Sequence, residues 1–472
     1  MQHSPFHLHY LKRIQVFIIL FLPVLLSGCS SSASHSSNSI DNILETDSSS
    51  AFSSINAEDT ALDTDVFSVK ETVTISCIQG ETQEYLNSHI AELVTAFNQE
   101  SSDYQLEIVS YASANDLYLD LIRGAGPDLF DLERLDVSLL EQKSVLEDLA
   151  PYFEQSTIIK ITDLLPCIYT AGTVNEKLVC IIPGFAISGF LTKVQNINAD
   201  NRWTVDDYLT LAKQHPDALL EDHGSQDTYY TGILQTTLKG NSAKYIDWES
   251  KTCHYNSEDF ILLLNQIASL PFPGWSASEI ALAEYQKGGS FLDTMNKLFL
   301  EDQLLTYPFS CFSPLSYCSE MAKMPDDVVF IGFPGIEETP SLYNLDCITT
   351  LSFGINHRAA SKEGAWAFME FLLSPAYQKE QGYFSARQDV FEAQLAARLD
   401  MGPLNLEKDY LTEEDKQNLR EIANHTVRMQ TVLPTEIWTI IYEEVQPLWF
   451  GDKTAKEAAD VIQSRVSLLL EE

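Results

Sequence analysis

The stretch GPDLFDLERLDVSLLEQKSVLEDLAPYF, residues 126–153, decides how the chain is read. Leu129 and Phe130 follow Pro-Asp as the brief apolar run of a buried strand. Asp131, Glu133 and Asp136 then break out of it, and Leu139, Leu140 and Leu146 return at helical spacing. Strand, polar turn and short helix therefore follow one another without an insertion. In an open α/β sheet the loop leaving a strand's carboxyl end is where ligands sit. That makes the acids at 131–136 candidates for a cleft wall, with a solvated loop as the plainer alternative for each of them.

Working back from this stretch, the same alternation is already under way. Val73, Ile75 and Cys77 alternate with Thr74 and Ser76 as a strand, and Gly80 breaks it. Leu86, Ile90, Leu93, Val94 and Phe97 mark one helical face, and Leu106 to Val109 reads as a second strand. Asn115 is placed to cap a short helix through Ile122, which Gly124 stops. Strand, helix, strand, helix, strand is the signature of a parallel sheet with crossover helices.

Working forward, Val179 to Ile182 and Phe185 to Leu191 are β-type runs around Pro183-Gly184. Thr204 to Asp207 fits a capping box opening a helix through Ala212, and Ser257 opens a longer helix carrying Phe260, Leu263, Leu264 and Ile267. Asp326 to Phe333 and Cys347 to Ile355 read as strands. Ser361 to Leu373 is an amphipathic helix stopped by Pro375, with Trp366 assigned to packing, and Trp203 and Trp275 flank turns. Ile437, Ile440, Ile441 and Val445 form one helical face, and the last helix opens on a capping box, Thr454 to Glu457.

At 472 residues the chain exceeds the roughly 250–300 at which one core splits, so two lobes are expected. With 29 Lys+Arg against 68 Asp+Glu, the formal net charge of −39 repels nucleic acid and anionic headgroups. Lys12 and Arg13 precede an apolar run from Ile14 to Leu26, shorter than the ~20 residues a spanning helix needs, which identifies an export signal. Ser30 to about Ser68, rich in Ser, Asn and Asp, reads as a tether reaching roughly 35 Å.

Eight cysteines less Cys29 leave an odd set, at 77, 167, 180, 253, 311, 318 and 347. Cys167 with Cys180, or Cys311 with Cys318, would close short loops; the spacing fits no zinc pattern, and buried free thiols are the other reading. The chain has no GxSxG, HExxH, GxxxxGK[ST] or dinucleotide fingerprint.

Several segments in order carry a family likeness: LSGC followed by Ser-rich sequence, the 126–153 stretch, NRWTVDDYLTLAK and FGINHRAASKEGAWAFMEFLLSPAYQ. LSGC resembles a bacterial lipoprotein signal, with residues 1–28 removed, Cys29 acylated and 29–69 as the tether; an ordinary signal cut near Gly28 is the alternative. From residue 70 onward the chain resembles the extracellular solute-binding proteins, family 1, that serve carbohydrate ABC importers.

The resemblance implies a type II periplasmic-binding-protein fold: two α/β lobes, 70–182 plus 348–382 and 183–347 plus 383–472, closing by a hinge over a ligand cleft. Pro183 to Phe185 would cross first between lobes, Phe353 to Leu373 would return, and Tyr383 to Arg387 would cross again. It further implies a monomer held on the outer face of a bacterial, Gram-positive cell membrane by its lipid anchor, delivering a small-molecule ligand to permease transmembrane subunits, with no cofactor, no metal and no nucleic acid.

Sugar recognition needs aromatic faces for ring C–H surface and amides, carboxylates or Arg for hydroxyls. Position selects Gln79, Glu81 and Thr82 at the first strand-to-helix turn, and Asp131 and Glu133 after the third strand. In the second lobe it selects Phe185, Tyr230, Tyr307, Phe309 and Trp438, with Tyr442 one helical turn on; core packing is the competing reading for each aromatic. The acids would equally hold a polyamine. Adjacent tyrosines also suit ferric ion, but no supporting His and carboxylate can be assigned. A glycoside-acting enzyme needs only two close carboxylates, and a sensory lipoprotein that feeds no importer is a further reading.

Overall fold

The computed structural model describes residues 70–79, 84–198, 202–239, 241–247, 250–335, 342–346, 351–399, 411–427 and 435–471. Lys70 apart, the described residues belong to one compact unit, Glu71–Glu472. The signal, Cys29 and the tether lie outside them.

In chain order the strands are β1 (Glu71–Ile78), β2 (Tyr104–Tyr111), β3 (Leu129–Asp131), the hairpin β4 (Thr173–Val174) and β5 (Lys177–Leu178), and β6 (Gly184–Lys193). They continue as the hairpin β7 (Ile246–Asp247) and β8 (Thr252–Cys253), then β9 (Tyr307–Cys311) and β10 (Val328–Ile331). The last are β11 (Tyr343–Asp346), β12 (Phe353–Ile355), β13 (Phe384–Ser385) and β14 (Thr426–Val427).

The first sheet has the order β12-β3-β1-β2. β1 runs parallel to β2 from Glu71↔Tyr104 to Ile78↔Tyr111, and parallel to β3 at Ile75↔Leu129. β12 returns antiparallel, with Phe353 opposite Asp131 and Ile355 opposite Leu129. Val73, Ile75, Leu129 and Phe130 are fully enclosed, as expected of strands covered by helices on both faces. Covering helices include Glu84–Glu100, which buries Ile90, Leu93 and Phe97, and Lys362–Leu372, which buries Trp366, Phe368 and Met369. Phe97 and Phe353 each meet Phe368 edge-on at 5.5 Å, and Trp366 meets Phe153 at 4.9 Å, so Trp366 is a packing residue.

The second sheet is built around β6. Its hinge-side end pairs with β13 (Gly184↔Ser385) and its further residues with β9, β11 and β10. Phe190 packs edge-on against Trp203 and Phe333, and Trp203 donates its indole N–H to the Gly332 carbonyl at 2.8 Å, which places Trp203 in the core.

Local details differ from the expectations in a few places. Ser113, not Asn115, caps the Ala114–Arg123 helix, because its hydroxyl accepts from the Asp116 N–H. Pro375 opens a further helix, Pro375–Glu380, at its first position, where a missing N–H costs nothing. Residues 179–182 make only an isolated bridge, Ile181 to Phe353, instead of a strand. The described cysteines, 77, 167, 180, 253, 311 and 318, are buried, and neither Cys167–Cys180 nor Cys311–Cys318 forms a disulfide. Burial pushes the Cys167 and Cys311 thiols up to about 12. Cys347 lies outside the described residues.

Candidate functional site

The two sheets meet at a hinge whose first connection is two residues long. Ile181 is held to the first sheet by reciprocal backbone bonds with Phe353, of 2.9 and 2.8 Å. Gly184 and Phe185 already pair with β13 in the second sheet. Ile182 and Pro183 are therefore what spans between them. The second connection, between β11 and β12, includes 347–350, outside the described residues. The third runs from the Pro375–Glu380 helix into β13, where the Phe384 N–H donates to the Phe312 carbonyl at 2.9 Å.

The carboxyl end of β3 sits beside this hinge. Asp131 stands opposite Phe353, which is the partner of Ile181. Asp131 is only 9 % exposed; its Oδ1 accepts from the Ser352 N–H at 3.1 Å, and from the Glu133 N–H at 3.4 Å. The Ser352 hydroxyl donates to Glu133 Oε1 at 2.6 Å. Immediately before Ser352, Leu351 holds a left-handed φ of 66°, a strained conformation for a branched side chain that accumulates at ligand sites. The cluster Asp131, Glu133, Ser352 therefore occupies the place where this type of sheet takes ligands. Asp136 does a different job: it caps the Val137–Gln142 helix by accepting the Leu139 N–H at 2.9 Å.

Of the other residues expected in the first lobe, Gln79 lies exposed at the carboxyl end of β1, its N–H bonded to the Tyr111 carbonyl at 2.7 Å. Glu81 and Thr82 fall outside the described residues. The structure thus brings Asp131 and Glu133 together and adds Ser352. Only the antiparallel return of β12, more than two hundred residues later, places that serine there, and nothing local in the sequence signals it.

In the second lobe two expected contacts belong to the core. Phe185 is fully enclosed, with its ring 5.6 Å from Phe384. Tyr230, on the Gln226–Lys239 helix, is 5 % exposed; it donates its hydroxyl to the Leu270 carbonyl at 2.9 Å and packs 5.6 Å from Trp449. Neither presents a face to a ligand in this conformation. Tyr307 is partly buried against Phe299, and burial, followed by the Glu320 charge, pushes its phenol up to about 12. Phe309 sits edge-on to Phe330 at 5.0 Å. Trp438 is half-buried and Tyr442, one turn on, is 39 % exposed.

Two second-lobe features were not anticipated. Phe312 and Tyr383 meet edge-on at 6.2 Å where β9 and the third connection join. Glu221 is the other. Leu219 and Leu220 run parallel beside residues 304–306, leading into the loop at 221–225, which leaves in the direction of the hinge. Glu221 Oε2 accepts from the Thr236 hydroxyl at 3.1 Å and lies 2.8 Å from His223 Nε2, while its buried Oε1 has no hydrogen-bond partner among the described residues. His223 in turn fills the notch left by Gly232, where a Cβ would lie 2.3 Å from the imidazole.

No family model and no curated protein matches the chain. Solved structures do. The sugar-binding protein MalE from Xanthomonas citri superposes with a TM-score of 0.54 at 15 % identity, covering 85 % of this chain and 97 % of its own. A family 1 extracellular solute-binding protein from Alicyclobacillus acidocaldarius gives 0.52 at 13 % identity, covering 86 % and 100 %. An ABC substrate-binding protein from Listeria monocytogenes in complex with cycloalternan gives 0.51 at 15 %, covering 85 % and 100 %. The chain has the two-lobe, type II periplasmic-binding-protein fold of the sugar-binding ABC solute-binding proteins.

Proposed function

We propose that this protein is the substrate-binding lipoprotein of an ABC importer: it captures a sugar or oligosaccharide between its lobes and hands it to the membrane permease. The observation that carries the reading is the extent of the structural likeness, which takes in 85 % of this chain and 97–100 % of two neighbours described as binding a sugar or cycloalternan. In this reading the lobes are 70–182 plus 348–382 and 183–347 plus 383–472. Cys29 carries the acyl chains that hold the protein on the outer face of the membrane. Asp131, Glu133 and Ser352 take sugar hydroxyls from the first lobe, Tyr307, Phe309 and Trp438 offer ring faces from the second, and closure adds contacts available only in the shut form.

A cationic ligand such as a polyamine is the second reading, favoured by the gathering of Asp131 and Glu133 beside the hinge and by the buried Glu221 carboxylate. A thermal-shift screen of the purified protein against oligosaccharides and polyamines separates the two. A ligand at 100 times its Kd adds about 2.7 kcal/mol. A shift with oligosaccharides alone supports sugar transport, a shift with polyamines alone transfers the site to the second reading, and turnover of a chromogenic glycoside would overturn both.

A further inference from the structure

One amide pair, the buried Gln378 and the partly buried Gln381, ties the first and third interlobe connections together. Gln378 is fully enclosed, on the Pro375–Glu380 helix. Its Nε2 donates to the Leu372 carbonyl at 2.7 Å and to the Pro183 carbonyl at 2.6 Å. Its Oε1 accepts from the Ser385 hydroxyl, and from the Ala386 N–H at 3.1 Å. Gln381 completes the set: its Nε2 reaches the Pro183 carbonyl at 3.0 Å and Gln378 Oε1 at 2.9 Å. Both amide hydrogens and both oxygen lone pairs of Gln378 are used.

The partners come from both sides of the hinge. Leu372 ends the helix that covers the first sheet, Pro183 is in the first connection, and Ser385 and Ala386 lie in and just after a strand of the second sheet. A planar amide holds these atoms at fixed separations. Any rotation of the lobes whose axis passed far from Gln378 would pull buried groups apart, each loss costing about 1–3 kcal/mol. Rotation about an axis through the amide leaves them intact. Gly184 fits against it: a Cβ there would lie 2.4 Å from Gln381 Oε1 and would push that amide aside.

We propose that the Gln378–Gln381 amide pair is the pivot of lobe closure, and that Gln378 is a positioning residue which sets the rest geometry of the lobes without touching ligand. The proposal rests on the closure reading above, but its test needs no ligand. Spin labels clicked onto encoded azido residues at the exposed helix positions Gln99 and Gln214, one on each side of the hinge, report the interlobe distance by pulsed electron resonance. The protein with wild-type hinge residues is expected to give one narrow distance. Gln378→Leu, Gln381→Ala and Gly184→Ala, the last displacing the Gln381 amide by sterics, are each expected to broaden or shift it while circular dichroism stays unchanged.

If Gln378→Leu does not fold, the two milder variants decide. Distributions that superimpose on wild type in folded Gln381→Ala and Gly184→Ala overturn the pivot and leave the sugar reading untouched. Altered distributions in the variants, with no sugar binding even by the wild-type protein, uphold the pivot and count against the sugar reading. Where maltotetraose or another probe from the screen binds, a tenfold drop in the competent population weakens its apparent Kd about tenfold.

Discussion

The Ser352 hydroxyl donates to Glu133 Oε1 at 2.6 Å, joining residues 219 positions apart. This bond orients the Glu133 carboxylate at the carboxyl end of β3, beside Asp131. Ser352→Ala removes the donor and leaves the Ser352 N–H bond to Asp131 in place. Calorimetry with the ligand found by screening is expected to show affinity about tenfold weaker, roughly the worth of one hydrogen bond to a charged group, with little change in Tm. An unchanged Kd would remove this cluster from the site.

Asp131→Ala and Trp438→Ala probe the two lobes separately. Each is expected to weaken sugar binding, Asp131 through lost hydroxyl contacts and Trp438 through lost ring stacking. Asp131→Ala also lowers stability, because the Ser352 N–H loses its carboxylate partner in a buried place. Unchanged affinity in both variants would place the ligand elsewhere in the cleft.

Glu147 gives the acid side of the stability profile a definite sign. Its carboxylate is mostly buried; that burial pushes its pKa up, but hydrogen bonds from Lys362 at 2.8 Å and His357 at 2.6 Å outweigh it, so the group titrates below its ordinary value. A carboxyl held low when folded contributes stability above its unfolded value of about 4.3, and that stability is lost as pH falls through the folded pKa. Glu147→Gln is therefore expected to be less stable than wild type near neutrality by about 1 kcal/mol. The two should converge as pH drops below 4; equal denaturation midpoints at pH 7 would refute this.

The described thiols are shielded rather than bonded. Native protein is expected to react slowly with a thiol-specific reagent at Cys167 and Cys311, and unfolded protein quickly, with no Cys167–Cys180 or Cys311–Cys318 cross-linked peptide in a non-reduced digest. Peptide mapping that finds a Cys311–Cys318 disulfide would contradict the structure.

The sequence made the scaffold legible wherever the signal was local. The Thr204–Asp207 capping box, the Ser257 cap and the periodicity of 362–372 each depend on neighbours within a few residues, and each is present. The position of Asp131 and Glu133 at a strand's carboxyl end is legible for the same reason: they leave an apolar run. The burial of Tyr230 and Phe185 is not legible locally, because an aromatic has the same local sequence whether it faces core or cleft. What decides is the Leu270 carbonyl in one case and the Phe384 ring in the other, both distant along the chain. Ser352 and Gln378 escaped notice for the converse reason, being ordinary polar residues made significant by strands that return late.

That late return sets a timetable for the chain's synthesis. Strand β12, which completes the first sheet against β3, and the helix that covers it with Trp366 and Phe368, emerge only after the whole of β6 to β11 has been made. A nascent chain of three hundred residues holds β1, β2 and β3 without the partner that closes their open edge. Contacts across such separations form slowly, and the first sheet cannot gain its β12 edge until the carboxyl-terminal segment arrives.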